Sequence, residues 1–166
     1  MLGRESVSLA NEGAAGFPAR PAELAGMGFA PTAVAIVALL GVGLAAAQRR
    51  ETDAPRTRAV LQVARELSIP IRVPSVVLAE VCRGGARDAA VHRVLAGGIG
   101  VIDVNRTIAE KAGALLHRLN RDSRHAVDAL VVATATLIGA SVIATHDPDD
   151  LKRLAARESQ VEILAI

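Results

Sequence analysis

Apolar and charged positions are unevenly spread along this chain: residues 24–48 carry no charge, while from residue 56 onward short apolar runs alternate with stretches of helical period. In 56–67, Val60, Leu61, Ala64 and Leu67 recur at the spacing of one helical face, and 69–73 reads as a short strand interrupted by Pro70. Ser75, after Pro74, is placed as the N-cap of a helix running through Cys82, with Gly84 and Gly85 as its stop. A helix is predicted at 86–95, an alternating strand at 99–104 and an amphipathic helix at 107–119. Residues 126–138 are apolar nearly throughout and predict a central helix closed by Gly139. A buried strand at 141–145, a helix at 147–156 and a last strand at 161–166 complete the series. Strands alternating with helices predict an α/β fold, a parallel sheet flanked by helices and joined by right-handed crossovers.

The amino-terminal part departs from this pattern. Residues 1–30 are rich in Gly, Ala, Pro and Ser without a sustained period of 2 or 3.6, which predicts a poorly ordered extension, and the domain is assigned to 31–166. The apolar stretch 33–47, followed by Arg49 and Arg50, has two readings. One is a membrane span with its basic flank inside. The other, favoured because Ala and Gly make its transfer energy marginal, is a buried strand leading into the first helix of the sheet. A cleavable leader fits poorly, because the apolar segment starts late and no early basic region precedes it. Residues 48–55 read as a polar link.

A length of 166 residues, 51% hydrophobic and 22% charged, accommodates one globular domain with an ordinary core and leaves no room for a second. Phe17 and Phe29 are the sole aromatic residues. The core must therefore be built from Ala, Val, Ile and Leu, and stacking of bases on aromatic platforms is excluded. The net charge is +2, and all basic residues other than Lys111 and Lys152 are Arg, the better bidentate partner for phosphate. Nucleic acid would be held by its backbone. Cys82 is alone, which rules out an internal disulfide and a Cys-based zinc site and makes the cytoplasm the expected compartment.

Three acids, Glu80, Asp128 and Asp147, fall at or near strand ends or helix starts of separate βα units. On a parallel sheet such positions can converge at the carboxyl edge, and a cluster of this kind is what Mg²⁺ or Mn²⁺ chemistry on a phosphodiester requires. Each also has a plainer explanation. Glu80 could pair with Arg83 at i+3, Asp128 suits the first turn of its helix through the helix dipole, and Asp147 before Pro148 is a standard N-cap. His92, His117, His125 and His146 show no ligand spacing and read as structural or surface residues. The pairs Gly84-Gly85 and Gly97-Gly98 end helices and form no phosphate cradle.

Three segments, Pro-Ser-Val-Val-Leu-Ala-Glu-Val ending at Val81, Asp-Ala-Leu-Val-Val-Ala-Thr-Ala starting at Asp128, and Val-Ile-Ala-Thr-His-Asp-Pro-Asp-Asp-Leu ending at Leu151, resemble the PIN-domain family, especially its VapC-like toxins. The resemblance covers about residues 56–160 and implies a small Rossmann-like sheet and Mg²⁺- or Mn²⁺-dependent cleavage of RNA. It also implies a cognate antitoxin and admits a homodimer. On this reading Glu80, Asp128 and Asp147 are the family's second, third and fourth acids and metal ligands, and Thr145 is the hydroxyl residue preceding the last. Arg83 and Arg124 are candidates for binding backbone phosphates. The first family acid, an Asp at the end of strand one, is missing: the nearest match puts Pro31 or Thr32 there, with Glu51 or Asp53 as substitutes. Rival readings are a PIN-like protein that binds antitoxin or RNA without cutting it, and a membrane-anchored domain.

Overall fold

The computed structural model of the protein describes residues 35–37, 54–82, 84–85 and 88–166, with side chains from Thr57 onward within those ranges. The elements run β1 (Ala35–Val37), α1 (Ala54–Glu66), β2 (Ile71–Pro74), α2 (Ser75–Val81), α3 (Asp88–Ala96), β3 (Gly100–Ile102) and α4 (Arg106–Arg118). A 3₁₀ turn (Ser123–His125), α5 (Ala126–Ile138), β4 (Ser141–Thr145), α6 (Pro148–Ala155) and β5 (Val161–Ala165) follow. The sheet has the order β3-β2-β1-β4-β5 and every pairing is parallel, as the alternation of elements predicts. The chain moves outward from β1 to β2 and β3, then returns to the opposite side of β1 with β4 and β5. The switch point therefore lies between β1 and β4, where a parallel sheet opens a crevice at its carboxyl edge.

β4 is buried along its whole length, and α5 buries Ala129, Val131, Val132, Ala133, Thr134 and Ala135. An amphipathic surface helix would show a single apolar stripe. α5 is apolar all round because it packs against α2, α4, α6 and β4 at once. Its two threonines do not leave polar atoms stranded, since Thr134 and Thr136 donate their hydroxyls to the Leu130 and Val132 carbonyls at 2.7 and 2.8 Å. Gly139, at φ 108°, ends the helix in a conformation that side chains resist and turns the chain into β4. The core holds Val60, Val73, Val77, Leu115, Ile143, Leu151 and Leu154, with no aromatic ring among the described residues. Burial of each such side chain is worth roughly 1.5–3 kcal/mol.

Several boundaries differ from the sequence expectation for local reasons. β2 starts after Pro70 instead of running through it, since proline has no N–H to give to a ladder. Ser75 is the first residue of α2 and not its cap; Pro74 takes the cap position, and the Ser75 hydroxyl accepts the Val104 N–H at 3.1 Å, joining α2 to the end of β3. α3 begins at Asp88, whose carboxylate accepts the Gly84 N–H at 3.0 Å. Asn105 caps α4 by accepting the Ile108 N–H at 3.0 Å. The predicted extension at 1–30 lies outside the described residues. No helix among the described residues is long and apolar enough to cross a membrane. Within the apolar stretch 33–47, Ala35–Val37 is a strand hydrogen-bonded between β2 and β4, which replaces the reading of that stretch as a continuous spanning helix.

Glu158, in the turn between α6 and β5, is buried, and its carboxylate receives Lys111 Nζ at 3.0 Å and the Arg118 guanidinium at 3.1 Å from α4. Burial alone would raise its pKa, but these hydrogen bonds win and hold it below the ordinary 4.5. Glu158→Gln is expected to cost about 2 kcal/mol, which lowers the melting temperature by about 4–8 °C for a chain of this size. The contribution is present above pH 4.5 and is lost as pH falls through the depressed folded value. Melting curves of the two proteins should thus converge in acid; identical curves at pH 7 would mean the ion pairs contribute nothing.

Candidate functional site

Asp128 and Asp150 hold equivalent places on two helices. His125 is the N-cap of α5 and Asp147 that of α6, so each Asp is the third residue of its helix. There the unpaired first-turn N–H groups and the positive end of the macrodipole favour a carboxylate. α5 returns through Gly139 into β4, which puts its N-terminus level with the carboxyl ends of the strands. α6 starts at that level directly after β4. Sequence order thus brings both helix starts to the crevice beside the switch point.

The ligand atoms of His125, Asp128 and Asp150 lie within 4.8 Å of one another, and all three residues are half-buried. The Asp128 carboxyl is pushed above its ordinary value, chiefly by burial, then by the negative charges of Asp150 and Glu80, with a smaller push from Asp147; His125 opposes the shift. The charges of Glu80 on α2, Asp147 at the start of α6 and Asp150 on α6 therefore all reach Asp128 on α5, while the close group itself holds His125, Asp128 and Asp150 and neither Glu80 nor Asp147. Glu80 is exposed in the last turn of α2. Its suggested partner Arg83 lies outside the described residues.

Asp147 is exposed and its side chain makes no capping hydrogen bond, although its position is that of the N-cap. Capping therefore does not account for its carboxylate. Its backbone is held instead by Thr145, which is fully buried: the Thr145 hydroxyl accepts the Asp147 N–H at 3.1 Å and donates to the Asp147 carbonyl at 3.3 Å. The hydroxyl is engaged in the turn.

Three residues at this edge escape the sequence reading. Asp150 passes there as one of two interchangeable first-turn acids, and His125 as a structural residue, yet these two complete the group around Asp128. The available signals are the i, i+3 spacings His125 to Asp128 and Asp147 to Asp150. His92 and His117 are exposed, as expected. Among the basic residues, Arg124 is 85% exposed and closed on Asp122 at 2.7 Å. Arg121, which the sequence reading passes over, faces the cluster: its guanidinium stands 3.8 Å from Asp150 and 3.4 Å from His125 Nε2. Arg153 reaches Asp150 from one turn away at 3.2 Å.

The donor set, carboxylate oxygens with one imidazole, is of the kind divalent cations such as Mg²⁺ and Mn²⁺ accept. Concentrated negative charge on a half-buried Asp128 is what such a cation offsets. Comparison with curated proteins finds no match. Residues 44–157, well over half of the chain, match the PIN domain, and this span contains Glu80, Asp128, Asp147 and Asp150. With its parallel sheet and the acids gathered at the carboxyl edge, the chain belongs to the PIN-domain family.

Proposed function

We propose that the protein is a Mg²⁺- or Mn²⁺-dependent endoribonuclease of the VapC type, the toxin of a cytoplasmic toxin–antitoxin pair. PIN domains are typically metal-dependent nucleases. The observation that carries the proposal is the gathering of the ligand atoms of His125, Asp128 and Asp150 within 4.8 Å of one another, with the Asp128 carboxyl pushed up by burial and by the charges of Asp150, Glu80 and Asp147. Asp128, Asp147 and Glu80 would hold the metal, with Asp150 and His125 beside them. When bound, the metal supplies a nucleophilic water at neutral pH and offsets charge on the leaving oxygen. The chain's own part is to position the donors. α5 holds Asp128 half-buried in its first turn, and Thr145 holds the backbone from which Asp147 projects. With no aromatic platform, the RNA is gripped through its phosphates.

One observation favours a weakened or binding-only variant of this function. Strand β1 ends at Val37, and residues 38–50 contain no acid, so the carboxyl end of the central strand supplies no carboxylate from its own sequence. The expected result is slow RNA cleavage with Mn²⁺, abolished by EDTA and restored by adding the metal back. Cleavage undiminished in EDTA would exclude metal-dependent hydrolysis; RNA binding without any cleavage would favour the binding-only form. Expression alone should arrest growth, and co-expression of the neighbouring small open reading frame, whose product would lay an amphipathic helix against α1–α3, should relieve the arrest. Failure of both would remove the toxin assignment.

A further inference from the structure

Arg121 stands where the metal and the RNA would meet, and its backbone is locked there. α4 ends with Asn120 at φ 49°, a left-handed conformation that Asn tolerates better than most side chains. The Arg121 N–H bonds the Leu116 carbonyl at 2.9 Å and the Asn120 N–H bonds the His117 carbonyl at 3.1 Å, the two bonds of a Schellman closure. Asp122 then caps the following 3₁₀ turn by accepting the Arg124 N–H at 3.0 Å. Between two such closures Arg121 has little backbone freedom.

Its guanidinium has no acceptor atom, so the contact with His125 at 3.4 Å requires the Nε2 lone pair to face Arg121. His125 Nδ1 faces Asp150 at 3.5 Å. Asp150 thus collects Arg121, Arg153 and His125, while belonging to the same group as Asp128. A divalent cation entering that group competes with the guanidinium for the Asp150 carboxylate. We propose, resting on the nuclease reading above, that Arg121 is this site's phosphate-binding residue, held on Asp150 until a divalent cation takes the carboxylate and frees the guanidinium for an RNA phosphodiester. Arg121 suits the role better than its neighbours do. It is 34% exposed and backbone-locked, whereas Arg153 is 61% exposed on a local pair and Arg124 is closed on Asp122. A planar fork released in place can grip a phosphate bidentately, with little further ordering.

The test separates cation from RNA. Calorimetric titration with Mn²⁺ alone is expected to give a roughly fivefold tighter affinity in Arg121→Gln than in the wild type, because a competing cation about 4 Å from the carboxylate is gone. RNA binding by the same variant, followed by fluorescence anisotropy with Ca²⁺ present, should weaken by about tenfold, with the salt slope reduced by about 1. Arg121→Lys should recover only part of the RNA affinity, and Arg157→Gln, exposed in the turn between α6 and β5 at the other edge of the sheet, should leave both measurements unchanged. Mn²⁺ affinity unchanged or weakened in Arg121→Gln, or an equal loss of RNA affinity in Arg153→Gln, overturns the assignment to Arg121 and leaves the nuclease reading standing. Absence of Mn²⁺ binding in wild type and variant alike overturns both.

Discussion

Asp128→Asn is expected to abolish metal-dependent RNA cleavage and yet to make the metal-free protein more stable. Burial and the charges of Asp150, Glu80 and Asp147 all disfavour the ionised form of Asp128, which a bound cation would relieve. Removing the charge should reduce cleavage by about a hundredfold or more, as loss of a central electrostatic contact does. In EDTA the same change relieves the repulsion. The helix dipole opposes the gain, because a carboxylate in the first turn of α5 is favoured by about 0.3–1 kcal/mol, but burial and the like charges, which push the Asp128 pKa up, are expected to prevail. A net gain of about 1 kcal/mol is expected, or roughly 2–4 °C in melting temperature.

The sign of the pH dependence follows from the direction of that shift. With a folded pKa above 3.8, the folded protein binds this proton more readily than the unfolded chain. The penalty is in full force above the raised folded value, eases as pH falls through it, and has gone below 3.8. The melting-temperature advantage of Asp128→Asn over the wild type should therefore be largest at neutral pH and shrink in acid. Glu158 titrates in the opposite sense, but it is common to both proteins and cancels in the difference. An Asn variant that melts below the wild type in EDTA would mean Asp128 is not under repulsion; an Asn variant that still cleaves RNA at the wild-type rate would remove it from the metal site.

An acid placed directly after β1 should produce the largest gain. The family resemblance sets the first acid at the end of strand one, and the sequence match suggests Pro31 or Thr32 for that place. Both precede β1, which starts at Ala35, and in an all-parallel sheet the carboxyl edge follows the last residue of the strand, Val37. Ala38 and Leu39 are the next positions in the chain. Ala38→Asp or Leu39→Asp should raise Mn²⁺-dependent cleavage by about a hundredfold, because a further carboxylate beside β4 fixes the cation against Asp128. Pro31→Asp and Thr32→Asp should do nothing. The gain must vanish when Asp128→Asn is added. Recovery through Pro31 or Thr32 instead would show the strand assignment to be wrong, and a wild-type rate already of about 1–10³ s⁻¹, ordinary for enzymes, would point to Glu51 or Asp53 as the acting acid.

Much of this architecture is legible in the chain itself. The limits of α5 and β4 agree with the sequence expectation at both ends, because each is an uninterrupted apolar run closed by a residue with one physical meaning, Gly139 for the helix and the turn at His146 and Asp147 for the strand. Alternation of such runs is enough to imply parallel strands, and the acids at 80, 128 and 147 are visible since each interrupts an apolar segment or opens a helix. Local sequence does not report which acids meet. Asp149 and Asp150 suit the first turn of α6 equally well, and only the third-residue position, repeated by Asp128 on α5, puts Asp150 across from Asp128. Ser75 has the composition of a cap and serves as a tie to Val104 because β3 happens to end beside it. Arg121 and His125 acquire their partners from a helix some 25 residues further on. Spacing along the chain encodes faces and caps, which are matters of one helix or one strand. Charge convergence is a distance through space, decided where the packing of α5 and α6 around β4 brings two helix starts to one crevice.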